Sequence, residues 1–222
     1  MHVIGVAAKK KSVGDTTVFH AEDETNMTFL GIIAFLDPPK PDAKEAIHGL
    51  YDAGVHVKVI SGDAPVVVEH VCKLVGMKVG NQSAVTGSDL ENMSDAELSS
   101  VVEKNDIFAR LSPMQKKRVV DALRNNGHVV GYMGDGVNDA PSLHDADVGI
   151  SVDNGTDVAK ASADIILLEK SLTVILNGIY EGRRIYGNIL KYMKMALSSN
   201  FGNVFSVLIA SIFLPFLPML PL

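Results

Sequence analysis

Short apolar runs alternate with amphipathic segments along residues 42–168. The apolar runs predict five buried strands, at residues 55–60, 106–109, 129–133, 148–152 and 165–168. Apolar residues spaced three and four apart predict helices between them, at residues 42–52, 64–75 and 113–123. This alternation predicts an α/β fold with a parallel sheet covered on both faces. Polar ligands bind such sheets beyond the carboxyl ends of the strands, where we therefore expect a site.

The pattern changes at Met195. Residues 195–222 contain no charged side chain, and they exceed the roughly 20 apolar residues that cross a bilayer. They predict one transmembrane helix, since the alternative, a buried core helix, would normally be shorter. A basic cluster before this stretch predicts that this flank and the soluble part are cytoplasmic. Its members are Arg183, Arg184, Lys191 and Lys194. Prolines at positions 215, 218 and 221 predict where the helix unwinds or ends.

Composition excludes several classes of protein. The 222 residues are 47% apolar and 21% charged, which is typical of a folded chain. The formal net charge of −6 and the lack of a basic stripe argue against nucleic acid as a partner. The single Cys72 leaves no internal disulfide or cysteine-rich zinc site, which fits a reducing cytosol. The first five residues do not have the pattern of a secretory signal.

The first predicted strand end carries Ser61, Gly62 and Asp63. A phosphate could bind the hydroxyl and the backbone amides that precede the next helix. Asp63 can also be explained as a cap of that helix, so both interpretations stay open.

A second strand end leads into a helix with basic residues in its first turns. Ser112 predicts the N-cap and Pro113 the first helical residue. Helical spacing puts Lys116 on the inner face with the apolar side chains of that helix, so it either reaches toward a ligand or has a structural role. Lys117 and Arg118 are expected on a solvated face.

The third strand end carries four aspartates. Asp139 occupies the last glycine position of a G-x-G-x-x-G pattern and would repel a pyrophosphate, so residues 134–139 are no dinucleotide fingerprint. Asp135 and Asp139 instead suit Mg²⁺, which prefers one or two carboxylates, waters and phosphate oxygens. Asp145 and Asp147 are weaker candidates, as a solvated helix residue and a turn residue.

Together these motifs resemble the phosphorylation domain of P-type cation-transporting ATPases. The matching segments are GDGVNDAP (134–141), SGD (61–63), DPPK (37–40) and Ala109-Arg110 followed by Pro113 and Lys116. The resemblance implies a haloacid-dehalogenase-like, Rossmann-type parallel sheet, then a long stalk helix that enters a transmembrane helix. It is strongest to the bacterial magnesium-importing branch in residues 181–222. The implied domains are a nucleotide-binding remnant (1–27), the phosphorylation domain (28–171), the stalk (172–194) and the membrane helix (195–222).

The resemblance also implies roles for single residues. Asp135 would hold the catalytic Mg²⁺, and Asp139 would support the ion and Lys116. Lys116 would neutralise the acyl-phosphate oxygens. The residues implied to bind the phosphoryl group or the nucleotide are Ser61, Gly62, Asn138, Asp63 and Arg110. Asp37 would lie at the hinge to the nucleotide-binding domain.

Two departures from the family pattern qualify the resemblance. Ser61 stands where the family usually has threonine, which keeps the hydroxyl. The Asp-Lys-Thr-Gly-Thr segment that carries the family nucleophile does not occur in these residues. The chain is therefore expected to be a fragment that is inactive alone. Alternatives are a noncatalytic module that binds nucleotide or Mg²⁺ or associates with a full-length pump, a pump for another cation, or a free-standing phosphatase. The membrane helix and the missing nucleophile oppose the phosphatase.

The implied cofactors are Mg²⁺ and ATP. The implied partners are ATP, the transported cation (Mg²⁺ by resemblance), the bacterial inner membrane and the rest of the ATPase. That remainder comprises the nucleotide-binding and actuator domains and other membrane helices. Polar residues in a membrane helix usually face an ion path or another helix, so Asn200 and Asn203 either coordinate the cation or bond between helices.

Overall fold

An antiparallel hairpin at the start of the chain was not predicted from the sequence. In the computed structural model, β1 (His2–Ala8) pairs with β2 (Thr28–Phe35). Phe29 and Leu30 are among its exposed apolar side chains. The structure describes residues 2–10, 20–21, 24–35, 39–77, 83–169 and 171–214. The predicted hinge Asp37 and the prolines at 215, 218 and 221 lie outside these ranges.

Six parallel strands form two sheets of three. One sheet has the order β3 (Val59–Ile60), β5 (Ile107–Ala109), β4 (Val85–Thr86). The other has the order β6 (Gly131–Met133), β7 (Val148–Val152), β8 (Ile165–Leu167). The predicted α/β class with parallel strands is confirmed. The strands do not form one continuous ladder: among the described residues, β3 and β6 are each paired along one edge only.

The helices connect and cover these strands. They are α1 (Ala43–Asp52), α2 (Pro65–Leu74), α3 (Gly87–Glu91), α4 (Asp95–Lys104), α5 (Pro113–Asn125), α6 (Ala140–Asp145), α7 (Asp157–Ser162) and α8 (Leu172–Phe213). The predicted helices are present with ends shifted by at most two residues. Helices α3 and α4 were not predicted. Each begins with a capping box, formed by Thr86 with Asp89 and by Ser94 with Glu97.

Three clusters of buried side chains make the core. The first packs α1 and α2 on β5, the second packs α4 and α5 around Phe108, and the third surrounds Tyr132 and Leu143. Ile60, at the end of β3, and Val130, just before β6, pack against both the second and third clusters. The two sheets therefore share a core although no ladder joins them.

Helix α8 begins at Leu172, where the predicted stalk begins, and runs for 42 residues. Its start is docked on α1: Ser171 Oγ donates to Asp42 Oδ2 at 2.5 Å, and Arg183 Nη1 donates to the carbonyl of Ala53 at 2.6 Å. Among the described residues it is the one helix whose length and composition suit a membrane crossing. No residue of its most apolar window is buried in the structure.

Candidate active site

Asp139 is the centre of a hydrogen-bonded cluster at the end of β6. Lys116 Nζ donates to Asp139 Oδ1 at 2.7 Å, and the Tyr132 hydroxyl donates to the same oxygen at 2.9 Å. The amide of Gly136 donates to the other oxygen, Oδ2, at 3.2 Å. The side chains of Lys116 and Asp139 are only 12% and 13% exposed, so this ion pair is largely shielded from water. The structure thus brings together two residues that the sequence placed in one site.

The cluster sets the charge of Asp139. Burial raises the pKa of this carboxyl group, but the hydrogen bond and charge of Lys116, with the bonds from Tyr132 and Gly136, outweigh it. The net result is a pKa below the ordinary value. The pKa of Tyr132 is strongly raised, because the phenol is buried and faces the Asp139 carboxylate. Asp139 is therefore a carboxylate and Tyr132 a neutral hydrogen-bond donor near neutral pH.

Gly134 is required for the position of Asp139. A Cβ atom at residue 134 would lie 2.5 Å from the Cβ of Asp139 and 2.8 Å from its Cγ. Only a residue without a side chain lets Asp139 fold back over the end of β6. Residues Val137–Asp139 form the 3₁₀ turn that makes this reversal, and Asn138 on that turn is exposed.

Asp135 differs from its neighbour. Its side chain is exposed and has no hydrogen bond or ion pair within the described residues. Its backbone carbonyl, in contrast, accepts a 2.9 Å bond from the amide of Thr156, which caps α7. The loop is thus fixed through its backbone while the carboxylate stays available. Sequence reasoning did not identify this contribution of Thr156, although Thr156 is a typical capping residue.

These carboxylates fit Mg²⁺ but not a cation that needs a complete set of protein ligands. The described residues contain no group of three or more His, Cys, Asp or Glu side chains arranged to hold a metal. Mg²⁺ retains several waters and needs only one or two carboxylates beside phosphate oxygens. Asp135, whose carboxylate has no partner among the described residues, meets that requirement, and Asp139 lies in the same loop.

The Ser61 loop forms a second cluster, at the end of β3. The amide of Asp63 donates to Ser61 Oγ at 3.1 Å, and Ser61 Oγ donates to Asp63 Oδ2 at 3.2 Å. The amide of Arg110 donates to the carbonyl of Asp63 at 2.9 Å. The capping interpretation of Asp63 is wrong for this structure: Ala64 is the N-cap of α2, and the Asp63 carboxylate faces Ser61 instead.

Arg110 has a left-handed backbone conformation, with φ of 54°. This region is unfavourable for a residue with a Cβ atom. Its exposed side chain follows directly after the buried strand β5. The conformation accompanies the bond to Asp63, so the backbone of the Ser61 loop holds Arg110 close to Asp63.

Helix α5 connects the two clusters. The amide of Leu111 donates to the carbonyl of Ser61 at 3.0 Å, and Ser112 caps the helix with Pro113 at its first position, as predicted. Lys116 follows about one turn later and reaches Asp139. Helix α5 thus begins beside the Ser61 loop and places Lys116 at the Asp139 cluster.

Lys117 and Arg118 were expected on a solvated face, and the structure corrects this expectation. Lys117 pairs with Asp121 at 2.7 Å and with Asp145 at 2.5 Å. Arg118 donates to the carbonyls of Leu90 and Met93 and to the carboxylate of Asp95. These side chains join α5 to its neighbours, because the loops around α3 and α6 present carbonyl and carboxylate oxygens to this face.

The other two aspartates of the third strand end have structural partners. Asp145 forms an ion pair with Lys117. The Asp147 carboxylate accepts hydrogen bonds from the amide of Val130 at 2.9 Å and from Arg124 Nε at 3.1 Å. Their treatment as weaker candidates agrees with these contacts. Asn200 and Asn203 are exposed on α8.

The chain belongs to the haloacid dehalogenase-like hydrolase family, whose model matches residues 4–147. The resemblance to P-type ATPases is confirmed by relatives that match nearly the whole chain. It is 55% identical over 219 residues to a magnesium-transporting ATPase, P-type 1, of Salmonella typhimurium, covering 98% of this chain and 24% of the relative.

Two further relatives differ in the ion that their names give. A magnesium-transporting ATPase, P-type 1, of Escherichia coli K12 is 52% identical over 222 residues, covering 100% of this chain and 24% of the relative. A calcium-transporting ATPase 1 of Bacillus cereus is 37% identical over 211 residues, covering 95% and 24%. The chain thus spans about a quarter of the length of the curated relatives that it matches.

Proposed function

We propose that this chain supplies the Mg²⁺- and phosphate-binding half of the phosphorylation site of a P-type ATPase that couples ATP hydrolysis to Mg²⁺ transport. The observation that carries the proposal is the Lys116–Asp139 ion pair beside the carboxylate of Asp135, which is unpaired within the part of the chain that the structure describes. A shielded cation is available for phosphoryl oxygens, and a free carboxylate is available for the metal.

The proposed reaction is covalent phosphoryl transfer from ATP to an aspartate. Lys116 would stabilise negative charge on the transferring oxygens while Asp139 keeps the ammonium in place. Ser61, Gly62 and Asn138 would bind the same phosphoryl group, and Asp63 and Arg110 would contact the nucleotide. Mg²⁺, when bound by Asp135 with support from Asp139, would neutralise phosphate charge.

The attacking aspartate would come from a segment outside these residues. Strands β3 and β6 each have one unpaired edge among the described residues, and Ile60 and Val130 beside those edges share core contacts. One added strand could pair with both edges and deliver a carboxylate between Ser61 and Lys116. The chain alone would then bind but not become phosphorylated.

Transport of Mg²⁺ is supported by the higher identity to the two magnesium-transporting relatives, 55% and 52%, than to the calcium-transporting one, 37%. We propose that the last part of α8 crosses the bacterial inner membrane, with the basic flank cytoplasmic. Asn200 and Asn203 would then face the ion path or a neighbouring helix. The domain boundaries at residues 27, 171 and 194 belong to the same proposal.

The test is a chimera in which this chain replaces the matching quarter of the Salmonella relative. ATP should give an acid-stable, hydroxylamine-sensitive phosphoprotein in the chimera, and none in this chain alone. Asp135→Asn should abolish the labelling, whereas Asp121→Asn, which removes a carboxylate that pairs with Lys117 on α5, should leave it intact. A folded but unlabelled chimera would favour the noncatalytic binding module. Labelling of the chain alone would show that it contains its own nucleophile. Stimulation by Ca²⁺ rather than Mg²⁺ would reassign the cation.

A further inference from the structure

Tyr132 is a buried residue of the Asp139 cluster to which the family resemblance assigns no role. It lies in the middle of β6 and is 7% exposed, with its ring in the third core cluster. A buried tyrosine usually finds a partner for its hydroxyl, and here the partner is Asp139 Oδ1 at 2.9 Å. The ring thus belongs to the core, while the hydroxyl belongs to the candidate active site.

The three donors to Asp139 come from three directions. Lys116 approaches from α5, Tyr132 from β6 and the Gly136 amide from the loop that follows β6. Lys116 and Tyr132 share Oδ1, and Gly136 binds Oδ2. Rotation of the carboxylate would break at least one of these bonds, so together they fix its plane.

The position of Lys116 depends on that plane. A lysine side chain has four rotatable bonds and three donor hydrogens but no planar fork, so its ammonium is positioned only as well as its partner. In the structure, the Lys116 ammonium pairs with Asp139. Tyrosine, in contrast, has two side-chain torsions, and the core surrounds its ring. The rigid phenol can therefore hold the carboxylate that holds the flexible lysine.

We propose that Tyr132 is a positioning residue, whose hydroxyl fixes Asp139 so that the Lys116 ammonium is held where the phosphoryl oxygens would bind. The contact itself is a property of this chain, and its catalytic meaning rests on the proposed function. Tyr132→Phe removes one oxygen and no charge, which makes it a suitable test.

The first experiment needs no enzymatic activity. The parent chain and Tyr132→Phe, purified in detergent, are treated with acetic anhydride, and the acetylation rate of each lysine is measured by mass spectrometry. Lys58 is an internal reference, since its side chain is 15% exposed and it pairs with Asp106 at 2.9 Å, much like Lys116. Loss of one hydrogen bond should raise the Lys116:Lys58 rate ratio by about two- to tenfold. Tyr180→Phe, which removes the same atom from an exposed tyrosine on α8, should leave the ratio unchanged.

The second experiment measures ATP hydrolysis by the chimera. Tyr132→Phe should lower kcat by about two- to tenfold and leave the KM for ATP unchanged, because the effect is on phosphoryl oxygens rather than nucleotide binding. An unchanged Lys116:Lys58 ratio, or an unchanged kcat in an active chimera, would overturn the proposal. If the parent chimera is inactive, the proposed function fails, while the ratio still decides whether Tyr132 holds Lys116.

Discussion

The guanidinium of Arg183 donates a 2.6 Å hydrogen bond to the carbonyl of Ala53, the residue that closes α1. Ser171 binds Asp42 at the other end of the same helix. Between these ends, Gly49 leaves room for Leu176, because a Cβ atom on Gly49 would collide with the Leu176 side chain. Helix α8 is thus attached to the α/β domain at three points along α1.

Arg183→Ala should release the attachment at the end of α1. We expect faster amide hydrogen exchange in residues 172–186, because the charged donor no longer holds the end of α1. Arg184→Ala is the matched control, since among the described residues Arg184 pairs only with the exposed Glu181 on the same helix. Equal exchange in both variants would show that the Arg183 bond does not contribute to docking.

Gly134→Ala should disrupt the Asp139 cluster. The added methyl group would displace Asp139, so we expect destabilisation by about 1–3 kcal/mol and loss of labelling in the chimera. Urea unfolding and the phosphorylation assay measure the two effects. Gly178→Ala adds the same methyl group to α8 where no atom lies within 4 Å, and it should stabilise the helix by up to about 1 kcal/mol. Normal labelling of Gly134→Ala would contradict the described geometry.

Substitutions at Arg110 should separate backbone strain from side-chain function. Glycine tolerates the observed φ of 54°, whereas alanine does not, so Arg110→Gly should be more stable than Arg110→Ala by about 1 kcal/mol. Both variants lack the guanidinium and should label poorly at limiting ATP. Urea unfolding of the pair measures the first effect. Equal stability would mean that the left-handed conformation costs nothing here.

Asp147 should give a pH-dependent contribution to stability. The amide of Val130 and, to a smaller extent, Arg124 hold the pKa of Asp147 below its ordinary value in the folded chain. A depressed pKa stabilises the fold above the unfolded value, about 4, and this contribution is lost as the pH falls through the folded value. The parent should therefore resist urea better than Asp147→Asn at pH 7, and the difference should shrink as the pH falls below about 4.

Arg124→Gln provides the comparison for Asp147. This substitution removes the smaller cause of the lowered pKa of Asp147 and keeps the bond from Val130. The stability that Arg124→Gln loses at pH 7 should therefore be smaller than the stability that Asp147→Asn loses. A difference between parent and Asp147→Asn that stays constant from pH 7 to pH 3 would show that this carboxylate does not act through its charge.

Local signals made the main parts of the fold predictable. Strand β7 was predicted at its observed bounds, and the Ser112-Pro113 start of α5 was predicted because capping chemistry is written in adjacent residues. The β1–β2 hairpin was missed because apolar residues on both of its strands are exposed, so they do not mark one buried face of a sheet. The division into two ladders could not be predicted either, since pairing depends on residues far apart in the chain.

The same limit applies to the site. Helical spacing placed Lys116 on the inner face, but it did not show Lys117 and Arg118 binding other elements, because spacing describes one helix and not its neighbours. Tyr132 was counted as part of an apolar run, and only the fold reveals that its hydroxyl reaches Asp139. The hydroxyl at the tip of an otherwise apolar ring was the one signal in the sequence that could have suggested this.

The unbroken length of α8 makes it a lever arm. Its 42 residues extend about 63 Å, roughly twice the thickness of the hydrocarbon layer of a membrane. Because one end of α8 is docked on α1, a one-degree tilt of the helix about that end displaces the far end by about 1 Å. Rotations of the α/β domain too small to alter its own core would thus become movements comparable to the radius of an ion.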